Sequence, residues 1–287
     1  MNCFFCSDLH GSEERYSMLF RAVLEEAPDG VFLGGDILPG AVATLASGIS
    51  GSDFISRLLT AETLRLRERM GQRYPKFFII LGNDDGRIQE PDLLEGEAMG
   101  LWHYMHGRMT SLGPFQVYGY SFVPPTPFRL KDWEKYDVSR FVDPGCVHPA
   151  DGIHTVPVSE YEMRYSTISE DLRQLTDGHD LSRAIMLFHS PPYDTFLDRA
   201  GLDGVKVDHA PVDVHVGSIA IARMIKARQP LVTLHGHVHE SAGLTGRWMQ
   251  KLGGTFMFGG GHDGPELALV RFDPHDPASA TRELLRR

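Results

Sequence analysis

Residues 76–84 read KFFIILGND: an unbroken apolar run of strand length that ends in a glycine and then in Asn83. A short apolar run closed by a turn signal predicts a strand buried on both faces, as in a parallel sheet. Toward the N-terminus the same pattern appears twice more. GVFLGGD at 30–36 ends in Asp36, and CFFCSDLH at 3–10 delivers Asp8 and His10. Helical spacing lies between these runs. Ser12 stands where an N-cap belongs, with Glu13 and Glu14 in the first turn, and Met18, Leu19, Ala22 and Val23 then share one face. The pairs Phe54/Leu58 and Ile55/Leu59 predict a long helix over 53–73. The order is β-α-β-α-β, which predicts a parallel sheet with ligands at the carboxyl ends of its strands.

Toward the C-terminus the pattern resumes after an interruption. FQVYGYSFV at 115–123 predicts a strand, and 163–176 a helix. AIMLFHS at 184–190 is a strand ending in His189, and 214–228 reads as a helix. The next strand runs into LVTLHGHVHES at 231–241, which carries His237 and His239. Strands are expected near 255–259 and 266–272, and the charged tail is expected to fray. The interruption, about 123–160, is rich in Pro, Gly and charge and has no period. A loop of that length is uncommon in a compact domain and is usually functional or disordered. Its Phe128, Trp133, Tyr136 and Phe141 predict packing, so it is expected to form an insertion near the mouth of a site. A single domain over 1–287 is expected, with no internal repeat.

Charge and composition narrow the function. The net charge is -10, from 28 basic and 38 acidic residues, which argues against a broad electrostatic grip on nucleic acid. Arg65, Arg67, Arg69 and Arg73 are interrupted by Glu62 and Glu68 and read as a solvated helix face. No apolar run reaches the roughly 18 residues of a membrane span. The N-terminus has neither the basic n-region nor the long apolar stretch of a signal peptide. A cytoplasmic protein with no membrane partner is expected. Cys3 and Cys6 have CxxC spacing but point to opposite faces of a strand, so with Cys146 they read as small hydrophobes in a reducing compartment.

Four His, two Asp and one Asn thus fall at strand ends: Asp8, His10, Asp36, Asn83, His189, His237 and His239. Mixed imidazole and carboxylate donors suit Mn, Fe, Zn, Co or Ni better than Ca or Mg, which prefer oxygen alone. A shared carboxylate can hold two such ions about 3.5–4 Å apart, and metal coordination can bring a water pKa down to about 7. Two dications outweigh two aspartates, so such a site attracts phosphate although the whole chain is acidic.

In order, these blocks are D-x-H, GD, GN, a lone H and GHxH, and they resemble the calcineurin-like metallophosphoesterase superfamily. The match runs from Asp8 to His239, and the HSPP and GHVHES wording looks most like its small bacterial and archaeal members. The resemblance implies an α/β fold: a four-layer α/β/β/α sandwich with two mixed β-sheets and a dimetal site at the strand C-terminal ends. It also implies that Asp8, His10 and His239 hold one ion and that Asn83, His189 and His237 hold the other, with Asp36 bridging them. The implied cofactors are two divalent transition-metal ions, Mn²⁺ foremost, with Fe, Zn, Ni or Co as alternatives. The implied reaction is phosphoester hydrolysis by a metal-bridging hydroxide.

One block departs from that pattern. The residue after the GN asparagine is usually His, which stabilises or protonates the leaving group; here it is Asp84, followed by Asp85. An aspartate starts near a pKa of about 3.9 and nearby dications lower it further, so Asp84 is expected to be a poor acid that repels dianionic monoesters. A small-molecule phosphodiester is therefore the expected substrate. His209 and His215, in VDHAPVDVHVGS at 207–218, are candidate replacement acids, against the plainer reading of surface or capping histidines. His235 and His262 have a similar plain reading. Arg129 and Lys131, with Arg140, are candidate phosphate partners, against the plainer reading of solvated loop charges. Two other readings compete with the phosphodiesterase. A nuclease of the same superfamily is disfavoured by the acidic balance. A non-catalytic interaction module keeping the fold is disfavoured by the complete set of seven side chains.

Overall fold

Strict alternation along the inner strands organises the molecule. The computed structural model describes residues 1–40, 44 and 48–287. In β1 (Cys3–Cys6), Cys3 and Phe5 point to one face and Phe4 and Cys6 to the other, and all four are buried. β2 (Gly30–Gly34) and β3 (Lys76–Ile80) repeat this, with Phe32, Phe78 and Ile80 on the side of Phe5. β1, β2 and β3 pair in parallel, and β4 (His103–Tyr104) extends the row. On the other flank β13 (Leu267–Asp273) runs antiparallel to β1, and β14 (Asp276–Leu285) antiparallel to β13. The first sheet therefore has six strands in the order β14-β13-β1-β2-β3-β4.

A second six-stranded sheet has the order β11-β12-β10-β7-β6-β5. Its parallel centre is β6 (Phe115–Tyr120), β7 (Ala184–Phe188), β10 (Val232–His235) and β12 (Thr255–Gly259). Antiparallel edges are β5 (Arg108–Leu112) and β11 (Met249–Leu252). Ile185, Leu187, Val232, Leu234 and Phe258 meet Phe5, Phe32 and Phe78 in one apolar layer between the sheets. A second apolar layer packs the outer faces against helices. Both faces of the central strands are thus covered, which is why they read as continuous apolar runs.

The helices start where their caps dictate. α1 (Glu13–Glu26) is capped by Ser12, whose Oγ accepts from the Arg15 N–H. α2 (Gly51–Phe54) leads through a π-helical turn at Ile55–Thr60 into α3 (Ala61–Met70), and Arg65 and Arg69 lie on the solvated side. α4 (Glu90–Ala98) follows β3. The helix expected over 163–176 is two helices, α5 (Glu160–Tyr165) and α6 (Ile168–Thr176). Ser159 and Thr167 cap them, each with a Glu three residues on, a capping-box spelling that the apolar period hides. The helix expected from 214 begins later, as α7 (Ile219–Arg228). Ser218 caps it, and the Asp137 carboxylate accepts from the Ile219 and Ala220 N–H groups, leaving 214–218 outside the helix.

Two expectations need correction. The tail does not fray: residues 276–285 form the edge strand β14, held by pairing to β13 and by Arg271, which bridges Glu26 and Glu283. In the 123–160 segment Trp133 and Tyr136 are buried as expected, but Phe128 and Phe141 are exposed. Asp132 anchors this segment, its carboxylate accepting from the Arg87 N–H at 2.7 Å and the Thr155 N–H at 2.8 Å. Among the described residues no helix is long and apolar enough to cross a membrane.

His106 is boxed by the rings of Tyr120, Phe122 and Trp133, and its Nδ1 accepts from the Ser121 N–H. Burial, helped by the positive charges of Lys135 and Arg87, pushes its pKa down to about 3. Between that value and an unfolded value of about 6.5, the unfolded chain binds one more proton at this ring, so stability falls as pH falls. Replacing His106→Phe is expected to make the pH dependence of unfolding shallower by about one proton, or about 1.4 kcal/mol per pH unit, below pH 6.5. Urea denaturation of both proteins from pH 4 to 7.5 measures this, and parallel curves would refute it.

Candidate metal centre

Strand ends build the site, and those of β1, β2 and β10 turn abruptly. Asp8, His10, Asp36 and His237 adopt left-handed backbone, with φ of 59, 47, 49 and 71°. Each such residue other than glycine costs about 1–3 kcal/mol and persists only where surrounding structure holds it. The glycines beside them are there for space. A Cβ on Gly35 would lie 2.5 Å from His189 Nδ1, and one on Gly82 would lie 2.3 Å from Asp36 Oδ1. Both glycines also face His189 of the other sheet, so the loops after β2 and β3 lie directly against the residue that follows β7.

Two groups of donors result, with Asp36 in both. Asp8, His10, Asp36 and His239 offer atoms all within 4.8 Å of one another, as do Asp36, His189 and His237. His10 Nε2 and His239 Nε2 face each other at 3.1 Å, and His239 Nε2 lies 3.3 Å from Asp8 Oδ1. His189 Nε2 lies 3.2 Å from Asp36 Oδ2 and 3.0 Å from Asn83 Oδ1. The other His189 nitrogen donates to the Gly34 carbonyl at 2.8 Å, which orients the ring as the hydrogen-bond partners behind metal ligands do. Asp8 Oδ2 is buried without a hydrogen-bond partner. An orphaned carboxylate oxygen beside converging imidazole nitrogens is the environment a cation would satisfy. The donor set fits transition metals.

Charge is already being gathered there. Burial opposes ionisation of Asp36, but the neighbouring His189 charge and its hydrogen bond hold the carboxyl well below the usual range. Asp8 is likewise lowered: burial opposes, and the His239 hydrogen bond and charge prevail. Burial works against a charged His189, yet Asp36 raises it to about 10. His237, desolvated and next to His189, falls to about 3.

Two supporting residues escaped the sequence reading. Asp85, 1% exposed, accepts from the N–H groups of Gly82 (2.9 Å), Ile37 (3.1 Å) and Leu38 (2.9 Å). It staples the loop carrying Asp36 to the loop carrying Asn83; burial and the Asp36 charge raise its pKa to about 8 despite those donors. Arg15 donates to the Asp8 carbonyl at 2.6 Å and to the Gly264 carbonyl at 2.5 Å, bracing the first turn against the C-terminal glycine loop. The doubled acid after Asn83 was the only available signal for Asp85, and Arg15 had none.

The remaining expected residues divide. Asp84 lies beside the cluster with its N–H on Asp36 Oδ1 at 2.8 Å and its side chain 45% exposed. Among the protein groups alone, burial and then Asp36 push its carboxyl up, the opposite direction to the depression expected from sequence. His215 Nδ1 donates to the buried Asp198 carboxylate at 2.8 Å. His209 is exposed at the tip of a hairpin between β8 (Lys206–Val207) and β9 (Ala210–Pro211), where Asp208 and His209 both have positive φ. Lys131 is corrected: it is buried, with its ammonium ion-paired to Glu134 and hydrogen-bonded to the Thr126 carbonyl, so it does not present a charge to a ligand. Arg129 and Arg140 are exposed, Arg140 lying over the Tyr165 ring. His235 is a satisfied core residue, donating to the Ser190 carbonyl and accepting from Thr233 Oγ1. His262 pairs with Glu266 at 3.0 Å.

The family model for calcineurin-like phosphoesterases matches residues 1–241, which end just past His239. The chain belongs to the calcineurin-like phosphoesterase family. Phosphoester hydrolysis is the reaction class of that family. Among solved structures, TT1561 of Thermus thermophilus is similar at a TM-score of 0.58 and 18% identity, over 99% of each chain. A dimetal phosphatase from Danio rerio is similar at a TM-score of 0.52 and 13% identity, over 94% of this chain and 91% of that one. At such identities the likeness is one of fold. No curated protein matches by sequence.

Replacing Asp85→Ala leaves three buried N–H groups without an acceptor, at about 1–3 kcal/mol each. A loss of at least about 3 kcal/mol in unfolding free energy is expected from urea titration at pH 7; a loss under about 1 kcal/mol would show that the staple is dispensable.

Proposed function

We propose that the protein is a dimetal phosphodiesterase of small-molecule substrates. In this reading Asp8, His10 and His239 hold one ion, Asn83, His189 and His237 hold the second, and Asp36 is shared. The observation that carries it is the pair of donor groups joined through Asp36, with the Asp8 Oδ2 atom buried and unpartnered. When bound, two divalent ions supply Lewis-acid polarisation of the phosphoryl oxygens and a water acidic enough to attack at neutral pH. Mn²⁺ is the ion proposed first, given the mixed nitrogen and oxygen donors. Three free cysteines suit a reducing, cytoplasmic setting.

The protein's own groups shape the substrate choice. Asp84 places a third acidic group, beside Asp8 and Asp36, at the exposed edge of the cluster, which opposes the extra negative charge of a monoester and favours a diester. His215 is the proposed proton donor to the leaving group, in preference to His209. Its Nδ1 is fixed by Asp198, which also accepts from the Asp194, Thr195 and Gly217 N–H groups, so the ring is held by a buried anchor. Asp198 stands on the segment that leaves β7 just after His189. Arg129 is retained as a phosphate partner on the 123–160 segment.

Protein purified without chelator is expected to hold about two transition-metal ions per chain and, with Mn²⁺, to turn over bis-p-nitrophenyl phosphate well above p-nitrophenyl phosphate. Asp36→Asn is expected to lose metal and activity together; a metal-free Asp36→Asn protein that still turns over would end this reading. His215→Ala should leave turnover of the p-nitrophenyl diester, whose leaving group needs no proton, nearly unchanged. It should slow an alkyl diester about 100-fold, the low end of general-acid contributions. Equal effects on both substrates would remove His215 from the proposal.

A further inference from the structure

Asp84 touches both halves of the candidate centre, through three different atoms. Its Oδ2 lies 3.8 Å from His10 Nδ1, longer than a hydrogen bond but close enough to attract an Nδ1–H, while His10 Nε2 turns into the cluster toward His239. Its Oδ1 accepts from Asn83 Nδ2 at 3.4 Å, while Asn83 Oδ1 turns toward His189 Nε2 at 3.0 Å. Its N–H donates to the shared Asp36 at 2.8 Å.

We propose that Asp84 is a positioning residue that orients one metal ligand of each group, His10 and Asn83; this rests on the dimetal reading above. The chemistry is one of tautomer and flip. An imidazole can offer its Nε2 lone pair only when the proton sits on Nδ1, and a carboxylate beside Nδ1 stabilises that form. A carboxamide has an acceptor end and a donor end, and an ionised carboxylate accepts only from the NH₂ end. Asp84 therefore directs the Asn83 oxygen, rather than its nitrogen, into the cluster. A histidine in this place offers at most one acceptor nitrogen and cannot serve both partners, whereas a carboxylate has two oxygens. The aspartate forgoes proton donation and gains control of ligand orientation.

The test is Mn²⁺ titration by calorimetry of metal-stripped wild type, Asp84→Asn and Asp84→Ala, with thermal unfolding of each stripped protein. Loss of a hydrogen-bond partner behind a metal ligand typically costs 10–100-fold in metal affinity. Asp84→Ala is expected to lose about that much, and Asp84→Asn, which keeps a single oxygen acceptor, less. The visible spectrum of the Co²⁺-loaded protein should shift in Asp84→Ala, because ligand orientation changes even at saturation. Unfolding of the stripped variants should match wild type, since the side chain is 45% exposed. Mn²⁺ affinity within about twofold of wild type in Asp84→Ala would overturn the proposal, as would a fall in affinity matched by a destabilised stripped protein. A wild type that binds no Mn²⁺ would instead fail the dimetal reading, and this inference with it.

Discussion

Two buried carboxylates, Asp8 and Asp36, lie where the sheets meet, and the rest of the site answers to them. An ionised carboxylate taken from water into protein costs several kcal/mol unless charge or hydrogen bonds compensate. Asp36 is compensated on one side by His189 and on the other by the Asp84 N–H. Asp8 takes the His237 N–H and faces His239, and its second oxygen still lacks a partner. Protons on imidazoles therefore relieve only part of the burial cost. The proposed cations would relieve the remainder, so metal affinity and fold stability draw on the same groups.

That compensation needs backbone held against its own preference. Left-handed turns at Asp8, Asp36 and His237 are costly alone, and the supports around them are correspondingly explicit. Asp85 ties two of the loops through three N–H bonds, Arg15 braces the first turn, and Gly35 and Gly82 let His189 and Asp36 come into contact. The 123–160 segment joins in through Asp132, which hydrogen-bonds the backbone of Arg87, four residues beyond Asn83.

Much of the architecture was legible because the central strands are buried on both faces and so spell themselves as apolar runs. The residues after those runs converge because parallel strands share one carboxyl edge. Features that depend on partners were not legible. β14 carries no apolar stripe of its own and exists because β13 offers an unpaired edge. The break between α5 and α6 lies in a capping box inside a continuous helical period. Lys131 looked like an available loop charge because nothing local announces Glu134 and the Thr126 carbonyl closing around it. His215 lies at the start of the helical period that begins near 214, but Asp137, distant in sequence, binds the N-terminal N–H groups of a helix that starts only at Ile219.

The adjacent acids Asp84 and Asp85 make the same point most sharply. They are identical in the sequence, and a turn of the backbone sends one outward and the other inward. Asp85 is 1% exposed and spends its oxygens on backbone donors, a role that asparagine could not fill without turning an NH₂ toward an N–H. Asp84 is exposed and faces the side chains of His10 and Asn83. Family resemblance directs attention to Asp84 as the place of a missing proton donor. The geometry makes a different demand on that place: two side chains with ambiguous donor and acceptor ends lie on either side of it. A residue with two acceptors and no donor, once ionised, resolves both ambiguities together.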